Sequence, residues 1–192
     1  MTPLDRFLQW MRVREALPHI PDDSRLLDVG CADGHLMRAA GDRLREGIGI
    51  DPDAPAPHAA GERERRAPNV PTRFPILRGS FPDDFRLPGP FDVITMLAVF
   101  EHFSDADQPR VVEACRALLR PGGRVVLTVP APKVDRIVDV LRRLRLARWM
   151  DIEAHHGFAP DAIPECFSGF RVVRHDLFEF GLNHLFVLEK PA

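Results

Sequence analysis

Apolar positions along the chain change period several times, and each change marks an element. Leu4, Phe7, Leu8 and Met11 recur at helical spacing, which predicts an amphipathic helix within residues 1–20 that ends before Pro18 and Pro21. Arg25 to Val29 is a short apolar run stopped by Gly30, and from His35 to Leu44 a helical pattern returns, so the order is strand, loop, helix. Gly47 to Asp51 is a second short strand, closed by the turn-forming Asp51-Pro52-Asp53. Residues 54–70 are rich in Pro, Ala, Arg and Glu, and read as an exposed helix or loop over one edge of a sheet.

Thr72 to Leu77 supplies a third strand, and Pro75 within it argues for an edge, where a missing amide donor costs little. Phe91 to Leu97 is a strong strand, Gln108 to Leu119 a helix, and Arg124 to Val129 a further strand after a Pro121-Gly122-Gly123 turn. Short apolar strands alternating with helices predict an α/β fold with a mostly parallel sheet covered on both faces. In such a sheet, ligands bind beyond the carboxyl ends of the strands. Arg171 to Phe180 and Asn183 to Leu188, joined by Gly181 and Leu182, predict a hairpin at one sheet edge. No internal repeat or domain linker interrupts residues 1–192, so one domain is expected.

Composition narrows the function classes. Of the 192 residues, 45% are hydrophobic and 28% charged, the balance of a globular domain. A formal net charge of -2 supplies no global basic field for a phosphate backbone, which disfavours nucleic acid as a partner. Cys31, Cys115 and Cys166 are odd in number and widely spaced, which suits a reducing, cytoplasmic location better than a disulfide framework or a metal site. The first fifteen residues mix charges with apolar positions, so neither a signal peptide nor a membrane span is expected there.

The chemistry concentrates in Asp28-Val29-Gly30-Cys31-Ala32-Asp33-Gly34, two glycines around a turn between strand and helix. Glycine permits positive φ and close approach of a ligand, and the following helix offers unpaired amides to an anion. A dinucleotide fingerprint fails here, because Ala32 and His35 stand where its second and third glycines belong. A P-loop fails too, because no Gly-Lys-Ser or Gly-Lys-Thr follows.

The loop resembles the first motif of class I S-adenosylmethionine-dependent methyltransferases, Asp-x-Gly-x-x-x-Gly, matched by Asp28, Gly30 and Gly34. Further matches follow in the family's order: Asp51 at the end of the second strand, Gly79-Ser80-Phe81 at its adenine-binding turn, Glu101-His102 after the fourth strand, and Leu118-Leu119-Arg120-Pro121-Gly122-Gly123 before the fifth. The resemblance implies a Rossmann-like, doubly wound, three-layer α/β/α fold whose seven-stranded sheet is mostly parallel with an antiparallel C-terminal strand. It implies a cofactor, S-adenosyl-L-methionine, with S-adenosyl-L-homocysteine as product, held by Asp28, Gly30, Cys31, Ala32, Gly34, Asp51, Pro52, Ser80, Phe81 and Leu97. Asp51 would take the ribose hydroxyls. Ser80 departs from the pattern, since many members carry Asp there to accept from the adenine amino group.

A sulfonium-bound methyl is electrophilic, so the protein chiefly has to hold an acceptor in line and close. If that acceptor must lose a proton, a neutral imidazole is the natural base, and His102 is the first candidate. His155 and His156 lie in residues 131–168, the stretch that in this family helps form an acceptor-side lid. Adjacent histidines with no third ligand at metal spacing disfavour a metal site. Residues 133–148 combine an apolar face with five arginines, so contact with an acidic acceptor or a membrane surface stands beside the preferred reading of a lid helix. The resulting expectation is O- or N-methylation of a small molecule by a monomer or homodimer. Nucleobase amino-methyltransferases are set aside, because Leu97-Ala98-Val99-Phe100 replaces their Asn-Pro-Pro-Tyr or Asp-Pro-Pro-Tyr. The competing class is a protein of the same fold that binds the cofactor without catalysis, or uses it for another reaction.

Overall fold

The computed structural model describes residues 3–54, 74–131 and 159–192. Its elements in chain order are α1 (Pro3–Ala16), β1 (Ser24–Val29), α2 (His35–Ala40), β2 (Leu44–Asp51), β3 (Ile76–Arg78), β4 (Phe91–Leu97), α3 (Gln108–Leu118), β5 (Leu119–Pro130), α4 (Ile163–Cys166), β6 (Arg171–Phe178) and β7 (Asn183–Glu189). The seven strands form one sheet in the order β3-β2-β1-β4-β5-β7-β6. β1 to β5 pair in parallel, whereas β7 runs antiparallel between β5 and β6. The predicted α/β architecture with an antiparallel C-terminal strand is therefore observed.

Alternation along the buried strands sorts the core onto two faces. Leu27, Val29, Ile94, Met96, Val125 and Leu127 pack on one side with Val111, Val112 and Cys115 of α3. Leu26, Val93, Val126, Leu185 and Val187 face the other, under Val13 and Ala16 of α1 and Leu36 and Met37 of α2. Strands apolar on both faces are what a sheet covered on both sides requires.

Several boundaries differ from the expectation, each for a local reason. The helix from His35 stops at Ala40 rather than Leu44, because Gly41 takes φ 54 and a short 3-10 turn delivers the chain to β2 three residues early. The third strand is shorter and lies later, Ile76–Arg78. It does lie at the sheet edge, and Pro75 contributes only its carbonyl, accepting from Gly49 N–H at 2.9 Å. The Pro121-Gly122-Gly123 turn becomes a bulge inside β5, because Gly122 N–H donates to Lys190 O and Gly123 O accepts from Lys190 N–H, both at 2.9 Å. The hairpin link is a 3-10 turn, Glu179–Gly181, so β6 ends at Phe178. α1 buries Val13 and Ala16, whereas Phe7, assigned to its apolar face, is 51% exposed. Residues 55–73 and 132–158, which include most of the expected lid insertion 131–168 and the basic stretch 133–148, lie outside the described residues. Among the described residues, no helix is long and apolar enough to cross a membrane.

Candidate functional site

The parallel strands bring their carboxyl ends to one edge, and the loops there follow the sheet order. Gly79-Ser80-Phe81 follows β3, Asp51 ends β2, the Gly30 loop follows β1, Leu97 ends β4, and Pro130 ends β5. The Gly30 loop is tightly wound: Gly30, Ala32 and Gly34 all take positive φ, at 70°, 47° and 77°. Gly30 N–H donates to Ile50 O at 2.8 Å and Gly34 N–H to Cys31 O at 2.8 Å. A Cβ on Gly30 would fall 2.3 Å from Val99 Cγ2, so space as well as φ demands glycine.

Two carboxylates support this loop. Asp51, 9% exposed, accepts from Ala32 N–H through Oδ2 and from Asp53 N–H through Oδ1, both at 2.8 Å. Each oxygen keeps acceptor capacity for a further donor. Asp28 is 3% exposed and accepts from Thr95 Oγ1 at 2.7 Å. Burial pushes its carboxyl up to about 7; the Thr95 hydrogen bond opposes this and the Asp51 charge adds to it. Burial, aided by the carboxylates of Asp28 and Asp51, likewise pushes the Cys31 thiol up, which makes it a packing group rather than a nucleophile.

Beside the loop lies a cavity of about 240 Å³. Asp28, Gly30, Cys31, Ala32 and Leu97 line it, five residues that the sequence already marked. Gln9, Arg12 and Val13 of α1 close one side, and His35 and Leu36 of α2 another. These five were missed, although a signal existed: Arg12 shares a helical face with Gln9 and the buried Ala16, an odd place for a charge unless it meets something.

Among the described residues, none of the other expected site residues lines the cavity. Asp51 latches the loop from the next strand, Gly34 faces Ile76, and Pro52 is exposed. Phe81 is buried in the core, and Ser80 is exposed with its N–H donated to Asp84 Oδ2 at 2.8 Å. His102 is exposed on a 3-10 turn, Phe100–His102, just beyond β4, with its N–H bonded to Val99 O at 3.0 Å. His155 and His156 lie outside the described residues.

A sequence model of the family described as methyltransferase domain matches residues 4–173. The chain belongs to that family. Within it, this methyltransferase-domain protein is of the class I, S-adenosylmethionine-dependent kind expected from Asp28, Gly30 and Gly34. It is 33% identical over 114 residues to the ubiquinone biosynthesis O-methyltransferase of Pseudomonas aeruginosa, a match covering 54% of this chain and 43% of that protein. The match thus spans less than half the length of that relative. The protein of the same description from Methylococcus capsulatus is 26% identical over 194 residues, covering 88% of this chain and 77% of that one. Among solved structures, the N-methyltransferase NodS of Bradyrhizobium japonicum superposes with a TM-score of 0.66 at 17% identity, covering 100% of this chain and 98% of that one.

Proposed function

We propose that this protein transfers a methyl group from S-adenosylmethionine to an oxygen or nitrogen of a small molecule. The observation that carries this reading is the cavity at the tips of β1 and β4, walled by the Gly30 loop and closed by a cationic helix face. Its donor set fits the cofactor. Gly30, Cys31 and Ala32 of the loop line the cavity, and Arg12 offers a buried Nε without a hydrogen-bond partner.

S-adenosylmethionine supplies an electrophilic methyl group when bound. Asp51 would accept from the ribose hydroxyls with the oxygens that already hold the Ala32 and Asp53 amides. Arg12 would meet the carboxylate of the amino-acid end, and the turn at Ser80 and Phe81 the adenine. Gly34 shapes the loop and Pro52 the turn beside Asp51, without facing the cavity. Leu97, Val13 and Leu36 exclude water, which strengthens each polar contact inside. Asp28 supplies a carboxyl poised to ionise beside the cofactor's positive charge. Where the acceptor must lose a proton, His102, on the turn that follows β4, would be the imidazole to take it.

The relatives' names support an oxygen acceptor and the NodS fold a nitrogen one, so both belong in the assay. The three free cysteines fit a reducing compartment. Incubation with methyl-labelled cofactor and a panel of phenols, catechols and primary amines should move label to one class. Tight binding of S-adenosylhomocysteine without transfer to any acceptor would replace this reading with that of a cofactor-binding protein.

A further inference from the structure

β6 closes one edge of the sheet, and among the described residues no further strand pairs with its outer side. Such an edge offers a row of backbone N–H and C=O groups to another extended chain. Proline or lysine commonly blunts an edge of this kind, and Arg171–Phe178 contains neither. The strand instead presents apolar side chains to water. Val172, Val173 and Leu177 are three of the six exposed large apolar residues among those described, and Leu177 is 60% exposed. A bulge leaves Val173 without a partner on β7, but it bends only the start of the strand, and Arg174–Phe178 stay in regular register.

The charges on this strand say what fits it. Arg174 and Asp176 lie opposite Val187 and Leu185 of β7, so they share one face of the sheet, where they form an ion pair. His175 and Leu177 lie opposite Phe186 and His184 on the other face. The His175 ring stacks on Phe186 with 4.0 Å between centroids, and its Nε2 lies 2.8 Å from His184 Nδ1. It is therefore drawn inward over β7, which keeps its bulk away from the outer edge.

We propose that a second copy of this chain pairs with β6, antiparallel, about a two-fold axis that passes through His175 normal to the sheet. In that register Arg174 of each copy lies opposite Asp176 of the other, and Val173 lies opposite Leu177. Two attractive ion pairs and two apolar pairs then flank the axis. Side chains alternate, so the partner can slip only two residues at a time. A slip either way moves the axis to Arg174 or to Asp176 and sets like charges face to face, which is unfavourable. β6 is thus complementary to itself in the register centred on His175. Pairing uses up the β6 edge of both copies, so the assembly closes at a dimer with one continuous sheet.

Sedimentation velocity on the full chain at about 50 µM and low ionic strength should give twice the mass of one chain. R174D and D176R each turn both attractive pairs into repulsive ones, so each should weaken dimerisation at least about tenfold. Mixed in equal amounts, the two variants should dimerise with each other. An acidic pair on one strand then meets a basic pair on the other, while the ion pair within each chain stays broken, so the recovery cannot come from refolding. A second measurement reads the register without the charge variants. In a C166S background, H175C sets two thiols directly opposite, with Cα atoms about 5 Å apart, and should form an intermolecular disulfide under oxidised glutathione. R174C and D176C set them about 8 Å apart and should not. A wild-type chain that stays monomeric up to about 0.5 mM overturns the proposal and leaves this edge to a different partner. A dimer that R174D and D176R leave intact, a mixture that stays monomeric, or cross-linking of R174C or D176C as readily as H175C overturns it equally.

Discussion

Replacing Asp28 by Asn should make this protein more stable at neutral pH, not less. Asp28 is 3% exposed, and burial lifts its carboxyl from its ordinary 3.8 to about 7. Between those two values the unfolded chain carries an ionised Asp28 and the folded protein a neutral one, so the folded state holds the extra proton. Stability then falls as pH rises through this window and levels off above about pH 7. Roughly three pH units at about 1.4 kcal/mol each give a total loss of about 4 kcal/mol. Asn carries no charge and can still accept from Thr95 Oγ1, so D28N escapes that loss while keeping the hydrogen bond. Urea unfolding of both proteins without cofactor, in steps from about pH 5 to about pH 8, should show D28N ahead by about 1.5 kcal/mol at the acid end and about 4 kcal/mol at the other. Parallel stability curves for the two proteins would refute the claim that Asp28 is held neutral by burial.

The same carboxyl ties cofactor affinity to pH. A cationic ligand favours ionised Asp28, so binding of S-adenosylmethionine should tighten from about pH 6 to about pH 8 in the wild type and stay flat in D28N, as read by calorimetry. Gly30→Ala places a Cβ 2.3 Å from Val99 Cγ2 at φ 70°, whereas Gly181→Ala meets nothing within 4 Å at φ 78°. Thermal melts should show Gly181→Ala costing about 1 kcal/mol and Gly30→Ala about 2–4 kcal/mol, the larger loss reflecting the clash; equal losses would contradict it. Asp51→Ala removes the acceptor of two loop amides as well as the proposed ribose contact, so affinity for S-adenosylhomocysteine should fall at least about tenfold. An unchanged Kd would remove Asp51 from the site. Cys31 and Cys115 are buried and Cys166 only half-buried, so native protein should label with iodoacetamide at Cys166 alone, and slowly because burial and the Glu165 carboxylate raise that thiol too, with all three reacting in urea.

The chain's own periodicity determined much of this protein. Runs such as Leu26-Leu27 and Val93-Ile94 are apolar at consecutive positions because both faces of their strands are covered, and that alone implies a parallel sheet between helix layers. Asp28, Gly30, Gly34 and Asp51 marked the loop, because their roles depend on local backbone geometry that residue type dictates. Tertiary structure decided what covers what. Nothing local indicates that α1 folds over the Gly30 loop and brings in Gln9, Arg12 and Val13, since an amphipathic pattern names a buried face but not its partner. Nor does it show that Lys190 would convert Pro121-Gly122-Gly123 from a turn into a bulge through bonds 67 and 68 residues along the chain. The Asp28 proton belongs to the same class. Charge state and hydrogen-bond satisfaction depend on how much water distant segments exclude, and that is fixed only when the sheet, α1 and the hairpin close together.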